Sequence, residues 1–121
     1  MLLNQLEPKD FDFWTSLNTR WDDMDALGHV NHTGYLSYME TARVEMYIQL
    51  GFEGINKSMD KSTILANIEV TYLAQLSHPS SLKIGHRIIR IGTKSYDLIS
   101  GIFLQPDNKL LCSAYFKMVS F

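Results

Sequence analysis

The run Gly34-Tyr35-Leu36-Ser37-Tyr38-Met39-Glu40-Thr41-Ala42-Arg43-Val44-Glu45-Met46-Tyr47-Ile48-Gln49-Leu50 decides the architecture. Its apolar residues recur with a helical period in a chain that elsewhere alternates. Tyr35, Tyr38, Met39, Ala42, Met46 and Leu50 follow i, i+3, i+4, i+7 spacing and share one narrow face. Leu36, Val44, Tyr47 and Ile48 occupy the other sides, leaving a thin polar strip of Ser37, Thr41 and Glu45. A helix so apolar all round is not a surface helix; it is expected to be wrapped by sheet and by a partner subunit. Gly51 offers a C-terminal stop, and Thr33 or Asn31 an N-cap.

On either side the period is two. Phe13, Thr15, Leu17, Thr19 and Trp21 alternate with Trp14, Ser16, Asn18 and Arg20, which predicts a strand over residues 11–21. Asp22 to Thr33 keeps neither period. After about residue 62 everything reads as strands. Ile64, Ala66, Ile68, Val70 and Tyr72 alternate; a turn at His78-Pro79-Ser80-Ser81 follows. Leu82, Ile84, His86 and Ile88 alternate next, and the phase slips at Ile88-Ile89, which predicts a bulge. Tyr96 to Gln105 and Leu110 to Phe121 are the last two strands, separated by Pro106-Asp107-Asn108. Three hairpin-type connections imply an antiparallel sheet of five strands with the helix on one face, an α+β fold.

A length of 121 residues suits one domain, residues 1–121. Eleven basic against thirteen acidic residues give a net charge of −2, against the basic surplus of a nucleic-acid binder. No apolar run approaches a bilayer span, and the N-terminus shows no basic region followed by an apolar one. A cytoplasmic protein without membrane or nucleic-acid partners is expected. The single cysteine, Cys112, sits in a strand pattern as a packed thiol. His78 and His86 are too far apart, without other ligands nearby, to suggest a metal site.

The chemistry concentrates between the first strand and the helix. Asp22 to His32 holds three carboxylates, two imidazoles and an amide in eleven residues. Loops held by rigid elements are where functional groups gather. The helix start presents unsatisfied N–H groups and partial positive charge, and His32, Thr33 and Gly34 supply such amides. Aimed at a thioester carbonyl, they would stabilise the oxyanion that forms on attack. Asp25, seven residues before His32, can fold back beside that end and attack the carbon or deprotonate a water. By itself a carboxylate before a helix is more often a cap.

The segment Asp23-Met-Asp25-Ala-Leu-Gly28-His29-Val30-Asn31-His32-Thr-Gly-Tyr35-Leu-Ser-Tyr38-Met-Glu40-Thr-Ala42-Arg43 resembles the signature of the 4-hydroxybenzoyl-CoA thioesterase family of hotdog proteins. That pattern reads Asp-x-Asp-x-x-Gly-x-Val-x-x-x-x-Tyr, then Glu-x-Ala-Arg on the helix. Val70-Thr-Tyr72-Leu and Gly92-Thr-Lys-Ser95-Tyr are weaker similarities downstream. The resemblance implies a hotdog fold and hydrolysis of an acyl-CoA or acyl-carrier-protein thioester, with coenzyme A as part of the substrate and no cofactor. It implies Asp25 as the catalytic carboxylate, the His32 backbone N–H as the carbonyl-polarising donor, and Gly28 as the loop-turning glycine. The His29-Val30-Asn31 form resembles the long-chain acyl-CoA and acyl-carrier-protein branches. Hotdog subunits usually join edge to edge, so a homodimer or homotetramer is implied.

Other residues carry two readings each. Asp23 fits loop support better than chemistry. Gly28, His29, Asn31 and Tyr35 are candidate substrate-side residues, although capping suits Asn31 and core packing suits Tyr35 and Tyr38. Glu40, on a mostly buried helix, is expected to pair with Arg43. Lys83, Arg87, Arg90 and Lys94 read as a solvated strand face or a contact to the phosphates of coenzyme A. Two other functions stay open: a hotdog hydratase or dehydratase using His29 and Glu40, and a non-catalytic acyl-thioester binding module.

Overall fold

The computed structural model describes residues 2–51 and 63–120. Its helix, α1, spans His32–Gln49 and begins where Asn31 turns extended and caps it through its side chain. Tyr35, Tyr38, Met39, Ala42 and Met46 are buried, as their spacing predicts. Leu50 lies past the last turn and is exposed. Gly51 then takes a φ of +101°, a left-handed conformation suited to glycine at a helix stop.

Five strands surround it: β1 Phe13–Asn18, β2 Thr63–Tyr72, β3 Ser81–Ile91, β4 Ser95–Leu104 and β5 Lys109–Ser120. They form one antiparallel sheet in the order β1-β3-β4-β5-β2. Helix α1 packs over β1, β3 and β4, which is the hotdog arrangement. The register of β3 against β4 shifts between Ile88 and Arg90, the bulge that the slip at Ile88-Ile89 predicts.

Three expectations need correction. Only β3–β4 and β4–β5 are hairpins; β2 pairs with β5, so residues 73–80 cross the sheet end before β3 begins. The backbone N–H groups of Leu73 and Ala74 both reach the Leu111 carbonyl on the way. Turn residues at His78-Pro79 report that the chain bends, not which strand it joins next. The first strand is also shorter than residues 11–21. Its ladder ends at the Asn18–Ser81 pair, so Trp21–Asp23 close into a 3-10 turn and Trp21 stands 72% exposed. Finally, Glu40 does pair with Arg43, at 3.9 Å, but from the solvent side of α1, its side chain 70% exposed, so the pair is not buried.

The sheet has two apolar faces. One packs on α1 through Leu82, Ile84, Leu98, Ile102, Phe116 and Met118. The other is covered by the N-terminal segment, where Leu3, Leu6 and Phe11 meet Ile99 and Phe103. Phe11 lies flat on Gly85 and Gly101, cross-strand partners in β3 and β4. A Cβ at these positions would come within 2.6 and 2.8 Å of its ring, so any side chain there would unseat it. Among the described residues no helix is long and apolar enough to cross a membrane.

Candidate active site

The loop between β1 and α1 is built in two tiers. At its base, Asp23 accepts from Arg20 Nε at 3.0 Å, Arg20 Nη2 at 3.3 Å and the Tyr38 hydroxyl at 2.7 Å. Its carbonyl accepts the Asn31 N–H at 2.9 Å, which ties the start of the loop to its end. Burial pushes the Asp23 carboxyl up, but Tyr38 and Arg20 outweigh it and hold the group below the usual carboxylate range. Burial first, and then the same contact, push the Tyr38 hydroxyl up to about 12. These hydrogen bonds fit the reading of Asp23 as loop support.

Above that base the chain makes a small antiparallel turn, bridged at Met24 and Val30. The Asp25 N–H donates to the His29 carbonyl at 2.7 Å, and Gly28 N–H returns to the Asp25 carbonyl at 3.1 Å. Gly28 adopts a φ of +81°, the left-handed geometry that closes the turn. The Asp25 side chain is exposed, and its Oδ1 accepts the N–H groups of Leu27 at 2.9 Å and His29 at 3.2 Å. Both donors use Oδ1; Oδ2 takes no hydrogen bond from a described residue.

The helix start is more selective than the sequence suggests. Asn31 Oδ1 accepts the Thr33 N–H at 2.8 Å, and the Asn31 carbonyl accepts Gly34 N–H at 2.8 Å. Those two amides are committed. His32 holds the first helical position, whose N–H no helix carbonyl can reach. Of the three amides expected to face a substrate, His32 alone keeps its donor, at the positive end of the dipole.

The crossing segment 73–80, which local patterning did not single out, supports this loop from behind. Val30 N–H donates to the Leu76 carbonyl at 2.6 Å, and His29 bridges to Ser77. Tyr72 donates to the His32 carbonyl at 3.1 Å, its ring 5.8 Å from that of His32 and 5.4 Å from that of Tyr35. Tyr35 itself is buried, and its hydroxyl donates to the Ala74 carbonyl at 3.1 Å. The Tyr72 contact depends on β2 lying at the sheet edge. A Val-Thr-Tyr-Leu stretch carries no such information without the topology.

The remaining candidates are placed elsewhere. Glu40 points to Arg43, and no described contact joins it to His29. Arg90 forks onto Asp97 at 3.0 and 2.9 Å, while Lys83, Arg87 and Lys94 are exposed. Cys112 is fully buried, and burial pushes its thiol up to about 12. Among the described residues no group of three or more His, Cys, Asp or Glu side chains could hold a metal ion.

Residues 19–121 match the family described as the Thioesterase-like superfamily. A putative thioesterase from Pseudomonas aeruginosa superposes with a TM-score of 0.81 and 28% identity, over 89% of this chain and 82% of that one. A DHNA-CoA thioesterase from Staphylococcus aureus shares the fold, with a TM-score of 0.83 at 17% identity over 90% of this chain and 73% of that one. The Bacillus subtilis uncharacterised protein YsmA is 26% identical over 88 residues, 73% of this chain. The match spans 58% of that relative's length. The family match covers the loop, the helix and strands β2 to β5 together, and by it the chain belongs to the Thioesterase-like superfamily.

Proposed function

We propose that this chain hydrolyses an acyl-CoA thioester to the free acid and coenzyme A, as a hotdog enzyme of the 4-hydroxybenzoyl-CoA thioesterase type. The observation that carries the reading is the division of labour at the helix start. Asn31 consumes the neighbouring amides, His32 keeps its N–H, and the backbone holds the exposed Asp25 carboxylate by one oxygen only.

The chemistry follows from those positions. A thioester carbonyl oxygen at the His32 N–H is polarised, and negative charge growing there meets the positive end of α1. Asp25 then acts in one of two ways. As general base it takes a proton from water while the water oxygen bonds the carbonyl carbon. As nucleophile its oxygen bonds that carbon, giving an anhydride that water opens. In both, the C–S bond breaks and the thiolate leaves with the electron pair, to be protonated afterwards. Gly28 sets the turn, and His29, Asn31 and Tyr35 stand on the substrate side.

On this reading residues 1–121 form one cytoplasmic thioesterase domain without a cofactor. A second copy of the chain covers the open edge at β2, where Ile64, Leu65 and Tyr72 are exposed, and the exposed Leu27 of the site loop. Sedimentation giving a monomer at micromolar concentration would overturn that pairing. The activity is tested by thiol release from short, long and aromatic acyl-CoAs, by wild type and Asp25→Asn side by side. Hydrolysis that collapses in the variant supports the assignment. Acyl-CoA binding without hydrolysis in either protein would point to a binding module, and equal hydrolysis in both would remove Asp25 from the chemistry.

A further inference from the structure

Helix α1 rests on β1, β3 and β4, while β2 lies at the far edge of the sheet. Two tyrosines join the helix start to that edge from opposite directions. Tyr72, the last residue of β2, donates its hydroxyl to the His32 carbonyl at 3.1 Å. Tyr35, one helical turn after His32, donates its hydroxyl to the Ala74 carbonyl at 3.1 Å, just beyond the same strand end. The Tyr72 ring stands 5.8 Å from that of His32 and 5.4 Å from that of Tyr35. The strand end is itself anchored, because Tyr72 pairs with Cys112 and the Leu73 N–H donates to the Leu111 carbonyl at 2.9 Å.

The His32 N–H belongs to the planar peptide unit between Asn31 and His32, so its aim depends on how that unit and the next are held. The carbonyl of the first unit accepts Gly34 N–H at 2.8 Å. The second unit donates its Thr33 N–H to Asn31 Oδ1 at 2.8 Å. Both bonds lie within residues 31–34 and move with the helix start when it frays. Of these three bonds around His32, only the one from Tyr72 ties it to the sheet. Burial, with the Cys112 thiol adding to it, pushes the Tyr72 and Tyr35 hydroxyls above the usual tyrosine value, so both stay protonated and donate.

We propose that Tyr72 is a positioning residue for thioester hydrolysis: its hydroxyl fixes the His32 peptide, and so the carbonyl-polarising N–H, to the edge of the sheet. The role rests on the thioesterase reading of the site. A donor aimed at a developing oxyanion loses effect when it is slightly displaced, whereas ground-state binding spread over the substrate changes little. Tyr72 therefore acts through His32, on kcat more than on KM.

The test compares wild type with Tyr72→Phe, which keeps both ring contacts and loses only the hydroxyl, on the acyl-CoA that wild type hydrolyses best. The expected result is a kcat lower by about tenfold with KM within about twofold. His32→Pro supplies the second readout, since proline fits the first helical position and removes the N–H itself. In that background Tyr72→Phe should change kcat by less than about twofold, because the donor it aims is gone. Should His32→Pro leave no measurable turnover, the split between kcat and KM decides alone. An unchanged kcat in Tyr72→Phe, a rise confined to KM, or losses that multiply in the double variant would overturn the role and leave the thioesterase standing. A wild type that hydrolyses no thioester would remove the thioesterase reading and the role together.

Discussion

Asp23 and Asp25 stand two residues apart in one loop and live in opposite surroundings. Asp23 sits at the base, its side chain 16% exposed, with Arg20 and Tyr38 bonded to it. Asp25 sits at the exposed tip, and among the described residues its carboxylate hydrogen-bonds only to backbone N–H groups. A carboxylate with side-chain partners on both oxygens is spent on holding structure. One held by a single oxygen keeps a lone-pair face for chemistry. The motif Asp-x-Asp alone does not tell the two apart; their hydrogen-bond partners differ, and the proposed roles rest on that difference.

The largest expected effect separates them directly. Asp25→Asn should lower kcat/KM at least about a thousandfold while stability changes by less than about 1 kcal/mol, checked by acyl-CoA hydrolysis and urea unfolding. Asp23→Asn should reverse the pattern. It removes a charge-assisted acceptor from two partners and should cost about 1–3 kcal/mol of stability, with a smaller, indirect loss of activity. Tyr38→Phe completes a double-mutant cycle, in which a coupling near zero would show that the hydroxyl contact is not what fixes Asp23. Were Asp23→Asn the variant that kept its stability and lost all turnover, the two roles would have to be exchanged.

What was legible in the sequence follows the range of the interactions. The helix face and the bulge are written in local periodicity, and Tyr35, Met39, Ala42 and Met46 are buried accordingly. The loop's candidate residues were legible as a cluster because they are adjacent in the chain. The missed parts are those made by distant segments. That β2 lies beyond β5 is a pairing choice between residues more than forty apart, such as Glu69 with Tyr115. The same applies to Tyr72 on His32 and to Phe11 on Gly85 and Gly101. Glu40 pairs with Arg43 as its spacing suggests, but its exposure was misread, because a helix with few polar residues leaves their exposure to the packing angle, which the pattern does not report.

A smaller effect probes the tip from its backbone side. At Gly28 an added Cβ meets nothing within 4 Å, so Gly28→Ala tests the φ of +81° alone. The left-handed conformation should cost about 1–2 kcal/mol. Because the same turn presents the Leu27 and His29 donors to Asp25, kcat/KM should fall about tenfold. Asn tolerates this conformation better, so Gly28→Asn should recover part of both losses. Loss of stability with full activity would mean that the Asp25 carboxylate is oriented by something other than this turn.

The smallest effect is a pH dependence confined to the base of the loop. Asp23 is held below the ordinary carboxylate value of about 3.9 in the folded protein by Tyr38 and Arg20, against burial. A depressed folded pKa contributes stability that is present above the unfolded value and disappears as pH falls through the folded one. The stability difference between wild type and Asp23→Asn should therefore be constant from about pH 5 to 7 and shrink below about pH 4. Asp97 is also held low, by Arg90 and Tyr115, and His86 resists protonation inside the core. Both are common to the two proteins, so their acid sensitivity cancels in the difference. Urea unfolding at pH 6 and pH 3 reads it. A gap that stays the same at both pH values would mean that Asp23 gains nothing from being charged, and that Arg20 and Tyr38 would hold an amide there equally well.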